Sequence, residues 1–192
     1  GRPESRAGVC RPENRPRSAV LGARRQPGAP DRRLEAGRQG LRRSKHDDQV
    51  FLFSSPASFP FNLFLHYWLF IAEKGKISRW ELLHREVKHK KKFGHLYINF
   101  LPPTKGIEIL PFSSKYSWNG RIEGYIEGNK NSVSKKMINF IKKSEKNYPF
   151  CYKYNLMLGP NSNTFVQWVI NKFPEAKFKL SWRAIGKNYN FS

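Results

Sequence analysis

Apolar positions along the chain fall into runs with two different periods, separated by turn-forming residues. From Phe61 to Glu73 (FNLFLHYWLFIAE) aromatic and branched side chains follow one another almost without a break, and Lys74-Gly75-Lys76 ends the run. That pattern predicts a long central strand with a turn after it. Ser78–Val87 alternates weakly and reads as its hairpin partner, with His84 near its end; Lys88-His89-Lys90-Lys91-Lys92 reads as a solvated loop. His95–Leu101 and Ile107–Pro111 are short apolar runs bounded by Pro102-Pro103 and Lys105-Gly106, and Arg121–Glu127 alternates through Ile122, Gly124 and Ile126. These predict further strands of an antiparallel sheet. Upstream, Val50–Pro60 carries Pro56, Pro60 and three serines and reads as a loop.

Further along, the period lengthens. Asn131 or Ser132 caps a lysine-studded helix reaching about Asn147, with Val133, Met137, Ile138 and Ile141 at helical spacing and Tyr148-Pro149 as its stop. Tyr152–Leu158 reads as a short strand or extended approach to a second helix. That helix starts at Ser162 or Asn163, carries Phe165, Val166, Val169, Ile170 and Phe173 on one face, and ends before Pro174. Leu180–Gly186 closes the pattern in extended or turn form. The expected fold class is α+β, an antiparallel sheet with two main helices, with no internal repeat and no Gly-rich nucleotide loop.

Composition adds a boundary to this picture. Residues 1–50 hold twelve of the sixteen arginines, one lysine (Lys45), and no isoleucine, phenylalanine, tryptophan or tyrosine. Such a segment cannot offset its ordering entropy, so residues 1–49 are expected to be disordered and residues 57–190 to form the domain. The start at Gly1 and the Arg/Gly/Pro/Ala bias suggest a segment not native to the domain; the competing reading is a basic arm for nucleic acid or an anionic surface. Residues 51–192 are basic in their own right, with 23 basic and 8 acidic side chains. A surplus of fifteen positive charges suits nucleic acid, anionic lipid head groups or acidic cell-wall polymers, and AT-biased coding produces the same surplus with no partner.

Charge and cysteine usage also narrow the field. Val50–Ala72 is free of charged residues, but its prolines, serines, Asn62 and His66 spoil a membrane-spanning helix, and no secretory signal opens the chain. A protein of the cytoplasm or of a membrane surface, with no integral span, is expected. Cys10 and Cys151 are the only cysteines, too few for a disulfide framework or a four-ligand zinc site, and Cys151 among aromatics reads as a packed thiol. His84, His89 and His95 lack the geometry of a metal site. No cofactor or metal is expected.

The sharpest chemical signal is Gly159-Pro160-Asn161-Ser162-Asn163-Thr164-Phe165-Val166, a turn running into a helix with a hydroxyl at the join. A nucleophile there sits against free N–H groups and the positive end of the helix dipole. Asn161 and Ser162 are equally good N-caps, which needs no chemistry.

This motif, the later Ala184-Ile185-Gly186-Lys187-Asn188-Tyr189 and the strand with His66-Tyr67-Trp68 resemble the bacterial family known as domain of unknown function 3750, over roughly residues 57–190. Departures fall at His84 and Arg85, in place of an aromatic-rich pattern, and at Lys88–Lys92, in place of a Gly-Trp-Gly-like turn. More distantly, a strand histidine followed by further strands and then Asn-nucleophile-x-x-Phe at a helix start is similar to the circularly permuted papain-like group, which includes lecithin-retinol acyltransferases and cell-wall amidases. Ser162 stands where that group has cysteine. The resemblance implies Ser162 as nucleophile, His66 as its base, the N–H groups of Asn163 or Thr164 beside Asn161 as oxyanion donors, and His84 as a third group orienting the imidazole. A serine needs such a base because its hydroxyl stays protonated at neutral pH. Three functions stay open: a hydrolase or acyltransferase acting on an amide or ester, a catalytically silent module binding a peptide, glycan or small molecule, and a basic protein binding nucleic acid or anionic membrane.

Overall fold

Two neighbouring strands buried on both faces organise the chain. The computed structural model describes residues 48–85, 92–111, 113 and 115–190; the N-terminal segment up to residue 47 and the basic run with His89 at 86–91 lie outside the described residues. Strands β1 (Asp48–Pro56), β2 (Leu65–Glu73), β3 (Lys76–Leu82), β4 (Lys92–Phe93), β5 (Leu96–Ile98) and β8 (Arg121–Gly128) form one antiparallel sheet in the order β4-β5-β3-β2-β1-β8. A separate pair joins β6 (Lys105–Glu108) to β7 (Ser117–Asn119). Helices α1 (Val133–Lys142), α2 (Ser144–Asn147) and α3 (Ser162–Lys172) follow, with a 3₁₀ turn at Pro174–Ala176. The class is α+β, as the periodicity predicts.

The central strands are continuous apolar runs because each face has its own cover. Val50 and Leu52 of β1 and Tyr67, Leu69 and Ile71 of β2 pack in the core with Met137, Ile138 and Ile141 of α1 and Phe165, Val166 and Val169 of α3. The alternate residues Phe51, Phe53, Trp68 and Phe70 form an aromatic cluster of their own. Phe53 stacks on Trp68 at 5.4 Å, and the Trp68 indole N–H donates to Pro103 O at 3.1 Å. Lys135 ties α1 to the sheet through Asp48 at 3.1 Å and Glu73 at 2.6 Å.

Several expected elements shift. Val50–Pro60 is mostly strand rather than loop: β1 runs from Asp48 to Pro56 between β2 and β8. Pro56 closes the strand, where a missing N–H costs the ladder little, and Ser54 reaches Glu123 Oε1 at 2.5 Å. The strand expected from Phe61 starts at Leu65, because 57–64 turns back on itself through Ala57 N–H to Phe64 O. Ile107–Pro111 belongs to β6, which starts earlier, ends at Glu108 and leaves the main sheet to pair with β7. The long helix breaks at Lys143 into α1 and α2, and Tyr152–Leu158 forms no strand, approaching α3 through irregular backbone at 153–155 and a turn at 156–158. No helix among the described residues is long and apolar enough to cross a membrane.

Candidate active site

The site lies where the sheet parts. β2 and β3 pair from Glu73–Lys76 up to Leu69–Trp80, and there the ladder stops although both strands continue. The N-terminus of α3 fills the gap. Asn163 Oδ1 accepts the N–H of Tyr67 at 3.1 Å, and its Nδ2 donates to Leu65 O at 2.8 Å and to Ile185 O at 2.9 Å. A side-chain amide thus replaces a strand partner on the residues that flank His66. This satisfies buried backbone groups that the parting would otherwise orphan.

His66 is buried, and its Nε2 lies 3.1 Å from Glu81 Oε2 on β3. The same oxygen accepts from Arg79 Nη2 at 2.6 Å. Arg79 is itself fully buried, donates Nη1 to the carbonyls of Pro102 (2.8 Å) and Lys105, and stacks its guanidinium over Trp68 at 4.1 Å. Burial alone would raise the Glu81 pKa; the Arg79 charge and the hydrogen bonds from His66 and Arg79 outweigh it and hold the carboxyl below its ordinary value. Desolvation pushes the His66 imidazole below 6.5 against the opposing pull of Glu81. Neutral His66 beside ionised Glu81 has one consistent arrangement. The carboxylate can only accept, so Nε2 carries the proton and Nδ1 keeps its lone pair.

The start of α3 is closed by Asn161. Its Oδ1 accepts the N–H of Asn163 at 3.0 Å and of Thr164 at 3.2 Å, and the Asn161 N–H in turn donates to Thr164 Oγ1 at 3.1 Å, a capping box. Two expectations change here. The N–H groups of Asn163 and Thr164, assigned to an oxyanion, are already taken; the N–H of Ser162 itself has no partner among the described residues. The cap belongs to Asn161 and Thr164, so it gives no account of Ser162, whose hydroxyl makes one long hydrogen bond among the described residues, to Asn163 Oδ1 at 3.5 Å.

His66, Ser162, Asn161 and Asn163 line one cleft of about 300 Å³, together with His84, Arg85, Glu108 and Tyr154. His84 is exposed and sits against the rings of His95 and Tyr154, at 5.8 and 5.3 Å between centroids. The bond that orients His66 comes from Glu81, not from His84, because the register of neighbouring β2 and β3 puts Glu81 on the same sheet face as His66 while His84 lies beyond the strand end. Sequence reasoning passed over Glu81, Arg79 and Tyr154. The first two leave only a faint trace, a base and an acid at i and i+2 on either side of the apolar Trp80. Tyr154 is pushed up to about 12 by burial and by the Glu81 charge, and stays a neutral phenol. Cys151 is a buried thiol raised to about 11, far from the ionised form. No three His, Cys, Asp or Glu side chains gather to hold a metal ion among the described residues.

The chain belongs to the family described as protein of unknown function (DUF3750), which it matches over residues 48–189. The match starts with β1 and ends just past the Ile185 and Gly186 carbonyls that hold the start of α3. Neither a curated protein nor a solved structure matches the chain.

Proposed function

We propose that the cleft is the acyl-transfer site of a hydrolase or acyltransferase of papain-like, circularly permuted arrangement, acting on an ester or amide with Ser162 as nucleophile. One observation carries the reading: His66 lines the same cleft as Ser162, its Nε2 bound to an Arg79-held carboxylate, and the Asn163 amide ties the Ser162 end of α3 to the backbone on either side of it. A base oriented by a third group beside a hydroxyl at a helix N-terminus is the general pattern of an activated nucleophile.

The steps follow from the proton inventory. His66 Nδ1 accepts the Ser162 proton as Oγ attacks the substrate carbonyl carbon, and Glu81 stabilises the imidazolium that forms. The oxyanion takes the N–H of Ser162, the donor that Asn161 leaves free. The carbon–oxygen or carbon–nitrogen bond then breaks, and His66 gives its proton to the leaving group. Water, or an acceptor alcohol or amine, resolves the acyl-serine by the reverse path.

A fluorophosphonate probe tests this. Covalent labelling of the protein, abolished in Ser162→Ala and strongly slowed in His66→Gln, is the expected result. Absence of labelling in a folded protein overturns it.

A further inference from the structure

Resting on the acyl-transfer reading, we infer that the group delivered to Ser162 is an aliphatic acyl chain of up to about ten carbons. The cleft walls are Phe61, Phe64, Leu101, Ile107 and Pro111, and its volume is about 300 Å³. A methylene takes up about as much room as the roughly 30 Å³ share of a water molecule, so the cleft holds about ten.

Several polar groups on the lining are already spent on the protein itself. Asn161 uses its amide on Leu156 O, Ile185 O and the first turn of α3, and Asn163 uses its own on Leu65, Tyr67 and Ile185. Arg85 pairs with Glu108, and the Ser58 hydroxyl donates to Glu108 O at 2.6 Å. A glycan or peptide entering here would give up its bonds to water and find few in return, which is costly. A hydrocarbon loses nothing. Around this lining Phe59, Leu156 and Met157 stand 58%, 46% and 46% exposed, an apolar rim that water alone does not favour.

Two measurements separate the chain from the chemistry. Inactivation of the protein by alkyl fluorophosphonates from ethyl to hexadecyl reads both; binding of 1-alkanols from butanol to decanol to Ser162→Ala, followed by calorimetry, reads the chain alone. Each added methylene is expected to raise both about fourfold up to about ten carbons, with no gain beyond. Met157→Asp, a rim change on an exposed turn, should flatten the slope. Labelling that is indifferent to chain length, together with alkanol binding that does not tighten, overturns the inference and leaves the acyl-transfer reading standing. Alkanols that tighten on a protein no fluorophosphonate labels keep the chain site and overturn the chemistry. No labelling and no binding overturn both.

Discussion

Glu81→Gln removes one charge from the centre of the site while keeping its shape. In the parent protein the imidazolium formed during Ser162 attack would lie against Glu81 Oε2, whose distance to His66 Nε2 is 3.1 Å. Two unit charges about 4 Å apart at an effective dielectric of about 20 attract by about 4 kcal/mol. Arg79 already compensates part of the Glu81 charge at 2.6 Å, and glutamine keeps a carbonyl oxygen that can accept one bond, so less than the full amount is lost. A fall of about 10²- to 10³-fold in the rate of fluorophosphonate labelling is expected. Stability falls as well, because Arg79 loses its counter-charge in a buried place. Breaking a buried pair costs about 3–5 kcal/mol, and the lower end applies here since Pro102 O, Lys105 O and the Trp68 face still hold the guanidinium. The assay is labelling rate against pH on protein shown to be folded by near-ultraviolet circular dichroism, with the urea midpoint measured in parallel. A folded Glu81→Gln protein that labels within about threefold of the parent refutes the role given to the carboxylate.

Four other outcomes follow from the same geometry. Because the folded-state pKa of His66 lies below 6.5, labelling should be flat at neutral pH and fall as acid protonates Nδ1, with a midpoint below 6.5; His66→Gln should abolish that titration. The same depression makes the unfolded chain bind the proton first, so the contribution of His66 to stability is present above about pH 6.5 and drains away as pH falls below it, read as a declining urea midpoint. Asn163→Ala leaves Leu65 O and Tyr67 N–H short of a partner at the parting of β2 and β3, while Ile185 O keeps its bond from Asn161; at about 1–3 kcal/mol for each buried orphan, partly relieved by water in the cleft, a loss of about 3 kcal/mol is expected in chemical denaturation. Gly186→Ala should cost about 2–3 kcal/mol in thermal unfolding: the backbone there has φ of +83°, and a Cβ would fall 2.8 Å from Asn161 Cγ, displacing the cap. An unchanged melting temperature would show that the cap is not held from that side.

How far the chain could be read depended on how local the cause was. Both helix starts were legible because a cap is decided by four or five consecutive residues: Ser132 accepts Lys135 N–H at 3.2 Å, and Asn161 closes α3. β2, β3 and β8 were legible within a few residues, since branched and aromatic runs ending at a Lys-Gly turn admit few other folds. β1 was not. Its run of Val50–Ser55 lacks alternation because one face is covered by helices far along the chain and the other joins Trp68 and Phe70 of β2 in an aromatic cluster. β6 and β7 pair in a ladder only with each other, four and three residues long, too short for a period. Within the site, His66 and Ser162 stood out by type and context. Glu81 did not, because what distinguishes it is the burial of its charge against Arg79, a property of the packed sheet.

The two C-terminal motifs answer a question that neither raises alone. Asn161-Ser162-Asn163-Thr164 and Ile185-Gly186 are more than twenty residues apart, yet every polar side chain of the first except Ser162 bonds to the second. Asn161 and Asn163 both donate to Ile185 O, at 3.1 and 2.9 Å, and Thr164 Oγ1 donates to Gly186 O at 2.7 Å. The first turn of α3 is therefore held from outside the helix by two carbonyls, and from the sheet by Leu65 and Tyr67. A helix start that only had to be capped would need Asn161 and Thr164 and no more. Fixing it to the strand that carries His66, and to a C-terminal turn whose glycine makes room for the cap, spends five hydrogen bonds on holding one short backbone segment still. Ser162 is the residue in that segment whose side chain takes no part in the holding. Rigid support around an unengaged hydroxyl is what a nucleophile requires, since a displacement of about 1 Å from attacking geometry can cost a hundredfold in rate, and a purely structural turn has no use for it.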